Sequence, residues 1–214
     1  RCCTQNGVRG GSATVHFPIW HQEIEDILVL KNNKGTEDNR VRKLDYSIQI
    51  SKLFYERFIK NAEITLFSPN HVPDLYEAFG MPEFDSLYLK YEKDKSIPKQ
   101  TIGAQDLFQA LLKERAETGR IYIMNLDHCN THSSFKDKVY MSNLCQEITL
   151  PTTPVQHIDD KEGEIALCIL SAINLGLLTD MNELEELCDL SVRALDEIID
   201  YQEYPVEAAK ISAQ

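Results

Sequence analysis

The chain has 214 residues, of which 43% are hydrophobic and 26% are charged. This composition predicts a folded domain with a sizeable core, and it excludes long disorder, collagen-like repeats and coiled-coil arrays. Lys and Arg number 22 against 34 Asp and Glu, and the net charge of -12 argues against binding to nucleic-acid phosphates or to an anionic membrane. We therefore expect a small-molecule ligand.

The cysteines and the ends of the chain bear on its compartment. Six cysteines, at positions 2, 3, 129, 145, 168 and 188, are too scattered for a disulfide scaffold. The longest apolar run, 165–173, is about half of what a membrane crossing requires, and the first residues resemble no signal peptide. These features predict a cytoplasmic protein. Because the chain has no initiator Met, we expect it to begin partway through a longer polypeptide.

Strand-like and helix-like patterns alternate along the chain. In chain order they predict a strand over 12–17, an amphipathic helix after Pro18, a helix over about 46–60, a strand over 64–67, short helices over 74–93, a helix over about 105–118 that ends at Gly119, a strand over 120–124, buried strands over 144–150 and 165–173, and a helix over about 181–201. This order favours an α/β fold in which helices cover parallel strands. No linker or repeat divides the chain, and the last residues, 208–214, predict no terminating element.

Residues 143–147 carry an amide, a thiol and a carboxylate at alternate positions. If 143–148 is extended, Asn143, Cys145 and Glu147 share one face, and the other face carries Leu144, Gln146 and Ile148. Successive groups on that face would lie roughly 6–7 Å apart, the scale of a sugar ring. The segment is therefore a candidate site for a small polyol. The alternative is a half-buried strand in which Cys145 acts as a small hydrophobe.

A second candidate is the sequence His128-Cys129-Asn130-Thr131-His132. On a helix, two histidines four residues apart and a thiol could give three ligands to zinc. The Asn, the Thr and the serines that follow instead favour a loop with hydrogen-bonding side chains, so no metal is predicted. A zinc-binding hydrolase or binding module that uses His128, Cys129 and His132 remains the alternative function.

The other cysteines give weaker signals. Cys168 lies in the most apolar run, and by itself is expected in the core. Cys188 falls on the apolar stripe of the last predicted helix and is expected to pack there. The neighbouring Cys2 and Cys3 are not expected to bridge each other, because the geometry would strain the peptide between them.

A glycine-rich loop precedes the first predicted strand. Its loop-to-strand order is the reverse of the strand–loop–helix order of phosphate-binding motifs, so it fails as one. Glycines around Gln5 and Arg9 indicate a mobile loop whose two long polar side chains can reach a ligand, and the alternative is an ordinary surface turn.

Eight short sequences occur in a fixed order: Gly7-Val8-Arg9-Gly10-Gly11, Trp20-His21, Leu30-Lys31-Asn32-Asn33, Thr65-Leu66-Phe67-Ser68-Pro69, Thr118-Gly119-Arg120-Ile121-Tyr122-Ile123, Asp127-His128-Cys129-Asn130-Thr131-His132, Ser142-Asn143-Leu144-Cys145-Gln146-Glu147-Ile148 and Gly163-Glu164-Ile165-Ala166-Leu167-Cys168. Together they resemble the large catalytic subunit of class I ribonucleotide reductases, over essentially the whole chain. The resemblance implies part of a ten-stranded α/β barrel with a central finger loop. Residues 1–214 would then be a partial catalytic barrel domain, without the N-terminal ATP cone and the C-terminal half of the barrel.

The resemblance also implies roles for individual residues. Cys145 would be the thiyl radical that takes hydrogen from C3′ of a ribonucleotide. Glu147 would accept the proton of the 3′-hydroxyl, and Asn143 would hold that glutamate and the sugar hydroxyl. Cys168 would be one of the two thiols that reduce C2′, and its partner in the family precedes residue 1.

Further components follow from the same resemblance. Gln5 and Arg9 match the loop that connects an allosteric effector nucleotide, ATP or a deoxynucleoside triphosphate, with the substrate base. No cofactor is expected in this chain, since the radical would come from a metal-containing small subunit and the reducing equivalents from thioredoxin or glutaredoxin. The implied substrate is a ribonucleoside diphosphate, and the full-length subunit is expected to be a homodimer that makes deoxyribonucleotides for DNA replication.

The family's tyrosine pair, substrate phosphate loop and shuttle cysteines have no counterpart in the chain. We therefore expect no turnover from the chain alone. A third interpretation is an assembly module without chemistry of its own, which a second polypeptide completes.

Overall fold

The computed structural model describes residues 4, 5, 7 and 9–213. In this part of the chain the strands are β1 (Thr4–Gln5), β2 (Arg9–Gly10), β3 (Thr14–Pro18), β4 (Asp45–Ile50), β5 (Glu63–Phe67), β6 (Lys99–Gly103) and β7 (Ile121–Asn125). The helices are α1 (Ile24–Leu28), α2 (Lys52–Ile59), α3 (Pro73–Ala78), α4 (Phe84–Lys93), α5 (Ala104–Thr118), α6 (Leu126–Thr131), α7 (Glu183–Tyr201) and α8 (Glu207–Ala213). The chain divides into two compact units, Arg1–Thr149 and Leu150–Gln214.

A three-stranded parallel sheet is the centre of the first unit. Strand β4 lies between β3 and β7 and runs parallel to both. Strands β5 and β6 pair antiparallel, as do β1 and β2. The predicted mixed α/β content is confirmed, whereas the described residues do not close into a barrel.

The two faces of β4 have different chemistry. Ile48 and Ile50 point to one face and are fully buried, in one hydrophobic cluster with Leu107 and Leu111 of α5. Helix α5 packs on α1, α2 and β7, so it covers this apolar face. The other face carries Ser47 and Gln49, which are also buried. A strand buried on both faces is usual for a parallel sheet, but buried polar side chains need partners.

The N-terminal elements match the predictions in most places. Strands β3, β5 and β7, the interrupted pair α3 and α4, and helix α5 occur where the patterns placed them. Gly119 ends α5 in the left-handed conformation, at φ 67°, and its N–H bonds the carbonyl of Arg115. The predicted end signal of this helix is thus confirmed.

The helix predicted over 46–60 is wrong in its first part, where β4 precedes α2. Apolar and polar side chains alternate over 46–50, which is the period of a strand. Ile50, Leu53 and Phe54, however, follow helical spacing across the strand–helix boundary and so extended the predicted helix backwards. Strand β6 was not predicted, because its polar sequence gives little strand signal and its pairing with β5 decides its conformation.

The predictions for the C-terminal part hold for α7 and fail around it. Residues 144–150 and 165–173 belong to no strand, and α8 forms where no element was expected. Cys168 and Cys188 are exposed rather than in a core. Helix α7 buries none of its residues within the described part of the chain. Its apolar stripe is therefore not packed into a core, contrary to the prediction. None of the described helices has the length and apolar character needed to span a membrane.

Candidate active site

The loop 139–149 lies against the polar face of the parallel sheet. His16 and Ser47 are paired across β3 and β4, and Thr14 and Gln49 lie two residues from them. Side chains at paired and at alternate positions share one face of a sheet, so these four point the same way. All four contact the loop, which we call the cysteine loop.

Three alternating carbonyls of the cysteine loop accept hydrogen bonds from this face. Gln49 Nε2 donates to Tyr140 O at 2.6 Å, His16 Nε2 to Ser142 O at 3.0 Å and Thr14 Oγ1 to Leu144 O at 2.8 Å. Alternate carbonyls point the same way in an extended segment. The incoming arm of the loop is therefore extended, runs opposite to the strands and is held by side chains of β3 and β4.

The direction changes at Asn143–Gln146, which form a turn. Gln146 N donates to Asn143 O at 3.2 Å, and Asn143 Oδ1 accepts from the backbone N–H groups of Glu147 and Ile148, both at 3.1 Å. Gln146 has φ 64°, in the left-handed region. The extended alternation predicted for 143–148 is therefore wrong, because an Asn side chain that caps nearby amides favours a turn over a strand.

The three predicted catalytic side chains lie close in sequence on this turn. Cys145 is exposed at its tip, Glu147 is exposed just after it, and Asn143 is half-buried at its start. Asn143 contacts the backbone of Glu147 rather than its carboxylate. The Gln146 side chain points towards the sheet, where Ser47 Oγ donates to its Oε1 at 2.7 Å and its Nε2 donates to Ile123 O at 2.7 Å.

Residues 126–131 form helix α6 and not the predicted loop. The Asn and Thr that signalled a loop bond back to helix carbonyls: Asn130 Nδ2 contacts Leu126 O at 3.1 Å and Thr131 Oγ1 contacts Asp127 O at 2.8 Å. Burial raises the pKa of the Cys129 thiol, and the negative charge of Asp127 adds to this effect.

A cavity of about 400 Å³ opens beside α6. Its lining residues are Met124, Asn125, His128, Cys129, His132, Ser133, Gln146 and Thr149. The His128 and His132 rings stand edge to face, with centroids 5.5 Å apart. No group of three or more His, Cys, Asp or Glu residues in the described chain is arranged to hold a metal ion, so the zinc alternative finds no support in this arrangement.

The remaining predicted site residues lie elsewhere. Cys168 follows an isolated antiparallel bridge between Thr153 and Glu164 in the second unit. The backbones of Gln5 and Arg9 pair with each other in β1 and β2. Their side chains, and all of Cys2 and Cys3, lie outside what the structure describes.

The sequence did not point to Ser47, Gln49, His16 or Thr14 as parts of the site. The only signal for these residues is that polar side chains alternate with apolar ones along β4, and that β3 also has polar side chains at alternate positions. Correct assignment of β4 as a strand would have placed Ser47 and Gln49 on a face that needs polar partners.

Fold and site together describe an α/β unit that presents a thiol on a turn above a parallel sheet. A family model of the ribonucleotide reductase barrel domain matches residues 1–214. The chain is 60% identical to the ribonucleoside-diphosphate reductase subunits alpha of Buchnera aphidicola subsp. Schizaphis graminum and of Haemophilus influenzae, and 57% identical to ribonucleoside-diphosphate reductase 1 subunit alpha of Escherichia coli. All of this chain is aligned in each case, and it spans 29% of the length of these relatives. The chain therefore belongs to the ribonucleotide reductase barrel-domain family.

Proposed function

We propose that this chain provides the part of a ribonucleoside-diphosphate reductase large subunit that carries the radical thiol, and that it works within a longer polypeptide. The observation that carries the proposal is the turn at Asn143–Gln146, which presents the exposed thiol of Cys145 while side chains of the sheet bind the loop on either side. The names of the relatives support the same activity. The product would be deoxyribonucleoside diphosphates for DNA synthesis.

The first step uses the three groups of the turn. A thiyl radical on Cys145 takes the hydrogen atom from C3′, which forms the S–H bond and leaves a carbon radical on the sugar. Glu147 accepts the proton of the 3′-hydroxyl, and Asn143 hydrogen-bonds the sugar. Because one short loop carries all three side chains, a single contact surface would bring them to one ribose.

Reduction then requires a pair of thiols, of which Cys168 is one. The 2′-hydroxyl leaves as water while C2′ gains hydrogen, and the two thiols supply two electrons as they become a disulfide. C3′ finally recovers a hydrogen atom from the Cys145 thiol, which restores the thiyl radical, and Glu147 returns its proton to the 3′-oxygen. A ribonucleotide and a dithiol thus give a deoxyribonucleotide, water and a disulfide. The exposure of Cys168 is compatible with thiol–disulfide exchange, which needs access to the sulfur.

Further parts of the proposal concern fold and partners. The parallel sheet would be part of a ten-stranded barrel, with the cysteine loop as its finger loop, and enclosure would keep water and oxidants from the sugar radical. Gln5 and Arg9 would respond to ATP or deoxynucleoside triphosphate effectors. A metal-containing small subunit would supply the radical, thioredoxin or glutaredoxin the electrons, and a second full-length subunit would complete a cytoplasmic dimer.

The test uses the full-length subunit together with its radical-generating partner and a thiol reductant. Cys145→Ser is expected to abolish reduction of ribonucleoside diphosphates, because an alcohol does not replace the thiol in hydrogen transfer. Cys188→Ser is the matched control, since Cys188 is an exposed cysteine on α7 outside the proposed chemistry. Undiminished turnover in Cys145→Ser would overturn the assignment.

A further inference from the structure

Gln146 directly follows the proposed radical cysteine, and the proposed chemistry gives it no task. We propose that Gln146 and Ser47 form a latch that positions the Cys145 thiol for hydrogen abstraction. The inference rests on the proposed function of Cys145. Gln146 is a positioning residue in this proposal, because it acts through the cysteine and not on the substrate.

Both ends of the Gln146 side chain are used. Ser47 Oγ on β4 donates to its Oε1, and its Nε2 donates to the carbonyl of Ile123 on β7, each at 2.7 Å. Ser47 is fully buried, so its hydroxyl depends on this acceptor. The latch therefore ties the outgoing arm of the cysteine loop to two neighbouring strands at once.

The backbone conformation of Gln146 depends on these side-chain bonds. Its φ of 64° is uncommon for a residue other than glycine and persists only where surrounding contacts hold it. The peptide that it controls is attached directly to Cys145. Loss of the side-chain bonds would let this residue return to a common conformation and would turn the sulfur with it.

The incoming arm has an independent anchor, the bond from Thr14 Oγ1 to Leu144 O at 2.8 Å. Both neighbours of Cys145 are therefore held by the sheet. Thr14 bonds the backbone of Leu144, and Ser47 bonds the side chain of Gln146. A reaction that transfers a hydrogen atom depends steeply on the distance between the reacting atoms, and a misplacement of about 1 Å can lower the rate about 100-fold.

The test compares Ser47→Ala and Gln146→Met in the full-length subunit with its radical-generating partner. Ser47→Ala removes the bond to β4, and Gln146→Met removes both side-chain bonds, each without a large change of volume. We expect kcat to fall about tenfold or more with little change of KM. With substrate deuterated at C3′, the isotope effect on kcat should rise, because hydrogen abstraction becomes slower than the other steps. A variant that merely folds poorly would lose active sites and keep the isotope effect of the unmodified enzyme.

Gln105→Met is the matched control, since Gln105 Nε2 also bonds a backbone carbonyl, that of Phe58, but lies at α5. Its kcat and isotope effect should stay unchanged. Unchanged kcat and isotope effect in both latch variants, with Cys145→Ser inactive, would overturn the latch and leave the proposed function intact. Turnover in Cys145→Ser would overturn the proposed function itself.

Discussion

Arg57 of α2 and Glu92 of α4 form a two-point ion pair, with Nη1 to Oε1 and Nη2 to Oε2 both at 2.6 Å. Thr65 Oγ1 on β5 donates to the same carboxylate, also at 2.6 Å. The Arg57 and Glu92 side chains are only 16% and 25% exposed. This cluster joins two helices and a strand in the unit that carries the cysteine loop.

We expect Arg57→Met to destabilise the chain by about 2 kcal/mol, because it leaves a partly buried carboxylate without its cation. The measurement is the free energy of unfolding in urea. Arg193→Met is the control, since Arg193 and Asp189 form an exposed pair within α7 that should contribute less than about 1 kcal/mol. Equal destabilisation by the two variants would contradict the prediction.

The acid sensitivity of this cluster follows from Glu92. Burial raises the pKa of its carboxyl, but hydrogen bonds from Arg57 and Thr65 outweigh burial and hold the pKa below its usual 4.5. As the pH falls below that value, the unfolded chain binds a proton that the folded chain resists, so stability decreases. We expect the free energy of unfolding, measured in urea at several pH values, to fall less with decreasing pH in Glu92→Gln than in the unmodified chain. An identical acid slope in both would count against this account.

His16 predicts a second pH effect, at the cysteine loop. Burial lowers the pKa of its imidazole below the usual 6.5, and the bond to the Ser142 carbonyl only partly opposes this shift. The unfolded chain therefore takes up a proton at a higher pH than the folded chain, and stability falls as the pH drops below 6.5 towards the folded pKa. An NMR titration should find the His16 transition below 6.5. A transition at or above that value would contradict the prediction.

Gly80 should tolerate no side chain. It has φ 83°, and an added Cβ would lie 2.7 Å from Leu126 Cγ and 2.9 Å from Asn130 Nδ2. Gly80→Ala combines backbone strain with overpacking, and we expect it to lower the free energy of unfolding by about 2–4 kcal/mol. Gly119→Ala is the matched control, because Gly119 also has positive φ but open space around its Cα, so strain alone should cost about 1–2 kcal/mol. Thermal unfolding of both variants measures the difference, and equal losses would contradict the steric argument.

The zinc alternative makes its own measurable prediction. Because no suitable ligand group is assembled in the described residues, we expect neither stoichiometric zinc in the purified chain nor a change of Tm after chelation. Elemental analysis and thermal unfolding with and without chelator check this. Stoichiometric zinc that disappears in His132→Ala would restore the alternative.

The sequence predicted elements wherever one physical signal dominated. Gly119 marks the end of α5 because a left-handed residue favours glycine, and this signal is local. Helix α5 has a stripe of apolar residues whose period matches only a helix. Such features need no knowledge of distant contacts.

Predictions failed where distant contacts or competing side chains decided the conformation. Ile50, Leu53 and Phe54 have the spacing of one helical face, although β4 ends at Ile50 and α2 begins only at Lys52. At the candidate site, the sequence identified Asn143, Cys145 and Glu147 as neighbours, but an extended model missed the turn that Asn143 Oδ1 stabilises. The four side chains of β3 and β4 that hold the loop are 91 or more positions away from their partners along the chain, so no local pattern could have paired them.

The bonds from Gln49, His16 and Thr14 to alternate carbonyls place the cysteine loop on the sheet without making it a fourth strand. The register of β3, β4 and β7 puts Ile48 and Ile50 on the apolar face that α5 covers, so the core contacts that specify it lie on the face away from the loop. The sheet and the cysteine loop can therefore vary separately in sequence. Substitutions at these few positions would change the contacts of the cysteine loop and leave the apolar core under α5 as it is.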